Sequence, residues 1–181
     1  MTVQIMNEYR WSQLFVEAPG FTGRAIAPPQ SEAAAFRHRR PCKTFEGAFF
    51  CGMEWDEWNL VNALITPRNT VLELGARWGT TSCVLARRTA NSGAVVSVEP
   101  DRSVHAMLLR NRARHNCSFH VVKGIVGSTP LVMRKEFTHY ATATRTARNG
   151  ETGLQAIDVG TIEQHIGRKF DVLLIDCEGC I

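Results

Sequence analysis

Four short apolar runs, each separated from the next by a segment with helical features, constrain the fold of this 181-residue chain more than any other feature. The runs are Val71–Leu74, Ala94–Val98, Phe119–Val122 and Phe170–Ile175. Short runs with so few polar residues are typical of strands buried on both faces of a parallel sheet. Strands that alternate with helices predict an α/β fold in which right-handed crossovers connect parallel strands.

The segments around these runs predict helices from their spacing and caps. Trp58, Val61 and Ile65 form an apolar stripe on a helix that begins near Glu54. Further helices are predicted at Thr80–Arg88, after a cap at Asp101 or Ser103, and at Ile162–Ile166. Residues 124–157 are ambiguous, because short β-like pieces lie among threonine, arginine and glycine.

The pattern divides the chain into two parts. Residues 1–45 carry few periodic apolar positions, which predicts a partly irregular N-terminal extension with a helical turn or two near Ala33–Phe36. Residues 46–181 are predicted to form the ligand-binding domain. Met1–Arg10 lacks the basic start and apolar run of a secretory signal, so we predict a cytoplasmic location.

Charge and hydropathy exclude some partners. The net charge of +4 is a mild basic excess, whereas nucleic-acid binders more often show a long basic stripe with interleaved aromatic residues. No stretch approaches the roughly 20 apolar residues that span a bilayer. The sequence therefore predicts neither a nucleic-acid partner nor a membrane partner.

The cysteines show no metal-binding pattern. They are Cys42, Cys51, Cys83, Cys117, Cys177 and Cys180, and the single C-x-x-C that they form has no second pair to accompany it. We therefore predict free thiols that are buried or partly buried, and no metal site.

Two of the strands end in residues that suit a ligand. Gly75 and Gly79 follow the first strand and let the backbone turn sharply, so a side chain at Gly75 is expected to enter the ligand's space. The first N–H groups of the helix at Thr80 are predicted to face the same place. Glu99 ends the second strand, 24 residues after Gly75, where a carboxylate can accept hydrogen bonds from a ribose diol.

The fourth strand is followed by Asp176, Glu178 and Gly179. Carboxylates here are predicted to point into the same crevice, since ligands in open α/β sheets bind beyond the carboxyl ends of the strands. Asp176 could contact the amino-acid part of a cofactor, a substrate hydroxyl or a cation. It could also be the N-cap of a following helix.

Together these residues resemble class I S-adenosylmethionine (SAM)-dependent methyltransferases, and within them the FkbM-like O-methyltransferases. The resemblance extends roughly from Thr66 to Gly179. Its motifs are V-L-E-L-G-A-R-W-G-T-T-S at 71–82, V-S-V-E-P-D at 96–101 and L-L-I-D-C-E-G at 173–179, the last being similar to the family's I-D-x-E-G signature. The resemblance implies a Rossmann-like parallel sheet and a cofactor, SAM.

The resemblance also implies site residues and an acceptor. The implied cofactor-binding residues are Glu73, Gly75, Ala76, Arg77, Gly79, Glu99, Pro100, Gly124, Ile125 and Asp176. Asp176 and Glu178 are the implied catalytic residues that take a proton from a hydroxyl group on a small-molecule or sugar-type acceptor, with His139 and His165 as weaker candidates. Arg77 stands where the family usually has Asn or Gly.

The family's sheet has the strand order 3-2-1-4-5-7-6, of which this chain supplies strands 1–4 in the order 3-2-1-4. A C-terminally truncated domain is therefore expected. Its fourth strand, Val172–Ile175, is expected to be an exposed edge that promotes self-association.

Two other functions are possible on the sequence alone. One is a SAM-binding or partner-binding fragment without catalytic activity. The other is a nicotinamide-binding Rossmann domain, although Gly75, Arg77 and Gly79 do not match the usual G-x-G-x-x-G.

Overall fold

The computed structural model describes residues 3–4, 44–48, 54–135 and 142–177. Its helices are α1 (Trp55–Leu64), α2 (Thr80–Arg88), α3 (His105–Arg114) and α4 (Val159–Ile166). Its strands are β1 (Val3–Gln4), β2 (Val71–Leu74), β3 (Val95–Glu99), β4 (His120–Lys123), β5 (Ile125–Val126), β6 (Leu131–Lys135), β7 (Thr142–Thr146), β8 (Ala156–Ile157) and β9 (Val172–Ile175). The predicted mixed α/β fold is confirmed. Most of the predicted extension over residues 1–45, including Ala33–Phe36, lies outside the described residues.

The main sheet is parallel, with the order β1-β9-β2-β3-β4. The central strand β2 pairs with β3 and β9, so that Val71 is opposite both Val95 and Val172. The predicted order 3-2-1-4 of the four longer strands is thereby confirmed.

The expectation that β9 is an exposed edge is wrong for its second half. Val3 pairs with Leu174, and Gln4 with Ile175, on the side of β9 away from β2. Leu174 is 3% exposed and Ile175 is 8% exposed. A two-residue strand has no periodicity that reveals it in a sequence, so β1 could not be predicted. Self-association of the chain stays a prediction.

The sheet is covered on both faces. Alternate residues of β2 point to opposite sides, as strand geometry requires. Val71 packs in a cluster with residues of α1, α2 and α3, whereas Leu72 packs in a second cluster with Ile162 of α4. Among the helices that the structure describes, none combines the length and apolar character needed to cross a bilayer.

The segment Thr44–Ala48 is packed on α3 rather than standing apart from the domain. The ring of Phe45 stacks on His115 with 3.9 Å between centroids. The side chain of Asn111 accepts a hydrogen bond from Glu46 N–H at 2.9 Å and donates one to Trp78 O at 3.0 Å. Asn111 thus ties this upstream segment to the turn after β2.

The prediction of free thiols is wrong for Cys83 and Cys117, which form a disulfide with a Cα–Cα distance of 5.3 Å. Cys83 lies on α2 and is fully buried, and Cys117 lies just after α3 and is 7% exposed. Cys177 is also disulfide-bonded. Cys42, Cys51 and Cys180 lie outside the described residues. Cysteine spacing alone does not determine pairing, which explains the error.

The ambiguous region 124–157 contains an inserted hairpin. Strands β6 and β7 pair antiparallel, from Leu131 opposite Thr146 to Lys135 opposite Thr142. At the base of this hairpin β5 pairs with β8, with Ile125 opposite Ala156. The hairpin therefore begins and ends at one place, directly after β4.

Candidate ligand-binding site

The turns after β2, β3 and β9 meet at the carboxyl edge of the sheet. Gly75 N–H and Ala76 N–H both donate to Val98 O at 3.0 Å. Asp176 N–H donates to Leu74 O at 2.9 Å. The predicted convergence of the glycine turn, the second strand end and Asp176 is therefore present in the fold.

A glycine is required at position 75 because the turn after β2 packs closely against the backbone that follows β9. Its φ is +99°, and an added Cβ would lie 1.9 Å from the carbonyl oxygen of Asp176. The expectation that a side chain here enters the ligand's space is wrong, because the side chain meets the backbone that follows β9.

Gly79 and Gly124 also stand at close approaches. Gly79 has a φ of +80°, precedes α2, and a Cβ there would lie 2.7 Å from Leu108 Cδ1 of α3. A Cβ on Gly124 would lie 2.2 Å from Gln155 O, at the base of the inserted hairpin. At both positions the added Cβ would meet protein atoms rather than open space at the strand ends. These glycines therefore allow close packing around the site.

Glu99 joins the turn after β2 to the turn after β3. Its Oε2 accepts Arg77 N–H and its Oε1 accepts Asp101 N–H, both at 2.7 Å. The residue is only 3% exposed. Burial raises the pKa of Glu99, although the two backbone hydrogen bonds act in the opposite direction.

Arg77 and Asp101 form an ion pair across the same two turns. Arg77 Nη1 lies 3.0 Å from Asp101 Oδ2. Arg77 adopts a left-handed backbone with φ +44°, a region in which Gly and Asn are common. Burial alone would raise the pKa of Asp101, but hydrogen bonds from Ser103 and the charge of Arg77 hold it below its usual value.

Glu73 lies beneath α2 rather than at the open edge. It is 1% exposed, and Ser82 Oγ of α2 donates a hydrogen bond to it. Burial raises its pKa to about 7, while hydrogen bonds from Ser82 and Ser97 act in the opposite direction. The predicted role of Glu73 in lining the cofactor stays a prediction.

Glu54 is a site residue that sequence reasoning missed. Its Oε2 accepts Thr81 N–H at 3.1 Å and Thr81 Oγ1 at 2.6 Å, and it also accepts a hydrogen bond from Thr80 Oγ1. The carboxylate thus occupies the N-terminus of α2, where the sequence predicted N–H groups free for a ligand. A contact between residues 26 positions apart leaves no local signal.

The remaining predicted site residues differ in burial and in position. Ala76 is 3% exposed and Ile125 is 4% exposed, while Pro100 and Asp176 are half-buried. His165 lies beside the first residue of β4, where its ring is edge-on to that of His120 with 6.2 Å between the ring centroids. It therefore does not join Asp176. Glu178, Gly179 and His139 lie outside the described residues.

The described edge carries charges of both signs and holds no metal-type cluster. Glu99, Asp101 and Asp176 lie there together with Arg77 and Arg102, and Lys123 of β4 stands opposite Glu99 in the sheet. Across the described ranges, no group of three or more His, Cys, Asp or Glu side chains is arranged to hold a metal ion.

Comparison with protein-family models finds no match to the chain, and comparison with curated proteins finds none either. A functional assignment therefore depends on the site geometry and on the motif resemblance.

Proposed function

We propose that this chain is a SAM-dependent methyltransferase domain of Rossmann-like, FkbM-like type that methylates a hydroxyl group on a small-molecule or sugar-type acceptor. The observation that carries the proposal is the Glu99 carboxylate at the end of β3. It lies beside the glycine turn after β2, with Arg77 N–H of that turn 2.7 Å from Glu99 Oε2. A carboxylate in this position suits a ribose diol.

The acceptor capacity of Glu99 fits that ligand. An ionised carboxylate has about four lone-pair sites, and two of them accept Arg77 N–H and Asp101 N–H. Each oxygen therefore keeps one site for a ribose hydroxyl.

Asp176 supplies the proton acceptor in this proposal. It is half-buried at the end of β9, and its backbone N–H is fixed to Leu74 O at 2.9 Å. A positioned carboxylate that takes the proton of a hydroxyl group typically accelerates such reactions by roughly 10²- to 10⁴-fold. Holding donor and acceptor in line can contribute about 7–11 kcal/mol more.

A dinucleotide is a poorer fit than SAM. A pyrophosphate normally binds at the N-terminus of the helix after the glycine turn, where backbone N–H groups are free. Here the Glu54 carboxylate accepts Thr81 N–H at 3.1 Å. Two anions at one helix terminus repel each other, so we do not propose a nicotinamide cofactor.

Replacing Glu99 by Gln is expected to weaken SAM binding by about 1.5–3 kcal/mol, the range for hydrogen bonds to a charged group. Calorimetric titration with SAM and, separately, with NAD checks this. Glu163→Gln is the matched control, because Glu163 lies on α4 and pairs with Lys169. Equal SAM affinity in wild type and Glu99→Gln would remove Glu99 from the site. Transfer of labelled methyl groups to a panel of hydroxylated acceptors tests the reaction itself.

We further infer that the chain folds in an oxidising compartment rather than in the cytoplasm. All three cysteines that the structure describes, Cys83, Cys117 and Cys177, are in disulfides. Disulfides are rare in the cytosol, where thiols are kept reduced. Forming the Cys83–Cys117 bond removes two electrons and two protons from the thiols, and a disulfide of the oxidising pool accepts them as two thiols.

We expect Cys83 and Cys117 to stay unlabelled when protein isolated from its own cells is denatured without reductant and treated with a maleimide. Peptide mass spectrometry then detects the two peptides linked. In a Cys83→Ala variant, Cys117 should become reactive, which provides the control. Full labelling of both residues before reduction would contradict the assignment to an oxidising compartment.

A further inference from the structure

The side chains of Arg77 and Asp101 join the two turns that surround Glu99. Arg77 lies in the turn after β2, Asp101 in the turn after β3, and their charged atoms are 3.0 Å apart. The side chains are 16% and 10% exposed, respectively. Solvent therefore screens this pair less than it screens an ordinary surface ion pair.

Neighbouring groups hold both partners in this arrangement. Asp101 Oδ1 accepts Ser103 N–H at 2.9 Å and Ser103 Oγ at 2.6 Å. The guanidinium carbon of Arg77 lies 5.2 Å from the centre of the Trp78 ring, within the range of a cation–π contact. The closed arrangement is thus supported from both turns.

The carboxylate that the pair adjoins is almost inaccessible. Glu99 is 3% exposed, although it stands at the end of a strand where a ligand would bind. A ribose diol needs direct contact with the carboxylate oxygens. The side chains beside Glu99 must therefore move before Glu99 binds a ligand, and the Arg77–Asp101 contact opposes that movement.

We propose that Arg77 and Asp101 form a latch that closes the crevice over Glu99, so that cofactor binding requires the ion pair to open. This inference rests on the proposed function. It gives Arg77, which stands where the FkbM-like pattern usually has Asn or Gly, a positioning role that neither shorter residue can perform. An asparagine or glycine keeps the backbone N–H for Glu99 but cannot reach Asp101.

A latch lowers the apparent affinity for the cofactor. The apparent Kd equals the intrinsic Kd divided by the fraction of molecules that are open. Removing the latch is therefore expected to tighten SAM binding by about two- to fivefold, the upper part of the range that ion pairs near a protein surface supply. The change should appear in the association rate, because the bound state is the same.

The experiment measures SAM affinity and association rate in the full chain for Arg77→Asn and Asp101→Asn. Asparagine tolerates the left-handed backbone at position 77, and at position 101 its side-chain amide retains an oxygen that can accept from Ser103. Both variants are expected to bind SAM more tightly than wild type. The two changes alter the net charge in opposite directions, so a shared gain cannot come from charge.

Two controls sharpen the result. Arg102→Asn removes an exposed cation from the same turn as Asp101 and is expected to leave SAM binding unchanged. The double variant Arg77→Asn, Asp101→Asn should gain no more than either single variant, because both remove one contact.

The outcomes separate the latch from the proposed function. Wild type that binds SAM, with single variants that bind equally or more weakly, overturns the latch and leaves the function standing. Faster SAM dissociation in Arg77→Asn would show instead that Arg77 contacts the cofactor. If neither wild type nor any variant binds SAM, both the proposed function and the latch are wrong.

Discussion

Replacing Cys83 and Cys117 together by alanine is expected to lower the free energy of unfolding by about 3–4 kcal/mol, the value that loop-closure entropy gives for a loop of this size. The bond closes a loop between residues 34 positions apart. It connects α2 to the segment after α3, and both sulfurs lie in the main core cluster. Urea unfolding of oxidised wild type and of the double variant measures the difference.

Reduction provides the control for this prediction. A reductant should destabilise wild type by at least as much as the double substitution does. In the double variant it can act only on the remaining disulfides, which include the one at Cys177. Equal unfolding midpoints for wild type and the double variant would mean that the Cys83–Cys117 bond does not stabilise the fold.

Gly75→Ala is expected to lower the free energy of unfolding by about 3–5 kcal/mol, which combines overpacking with left-handed backbone strain. The added Cβ would stand 1.9 Å from Asp176 O, and the φ of +99° is unfavourable for alanine. Because the obstacle is backbone, a side-chain rotation cannot relieve it. Denaturant unfolding, followed by circular dichroism, measures the loss.

Gly150→Ala is the matched control for Gly75→Ala. Gly150 has a similar φ of +86°, but a Cβ there meets nothing within 4 Å. It should therefore lose only about 1–2 kcal/mol from left-handed strain. Similar losses at the two positions would mean that the turn after β2 moves aside. A SAM titration on the same samples should show Gly75→Ala losing binding together with folding.

Local pattern predicted much of the fold. The run at 94–98 and the strand Val95–Glu99 differ by one residue, and the helix Thr80–Arg88 has the predicted bounds. The helix expected at 162–166 begins earlier, at Val159, because Asp158 Oδ1 accepts Thr161 N–H at 2.9 Å and acts as its N-cap. Spacing and burial are local properties, so a single sequence carries them.

Contacts between distant residues were not predictable in the same way. The N-cap of α3 is Val104 rather than Asp101 or Ser103, although the Asp101 carboxylate accepts Ser103 N–H in the turn before the helix and also pairs with Arg77. The contact of Glu54 with Thr81 and the Cys83–Cys117 disulfide were missed for the same reason. Each depends on which elements pack together. The approach of Glu99 to the glycine turn was predictable, because parallel strands place their ends at one edge.

The pairing of β5 with β8 has a consequence for how this fold can diversify. Ile125 and Val126 lie opposite Ala156 and Ile157, so the chain between these two strands begins and ends at one closed junction. Lengthening such an excursion changes the closure entropy slowly, by roughly 0.6 kcal/mol for each doubling. We therefore expect that residues can be inserted between these two strands while the carboxyl edge of the sheet keeps its structure.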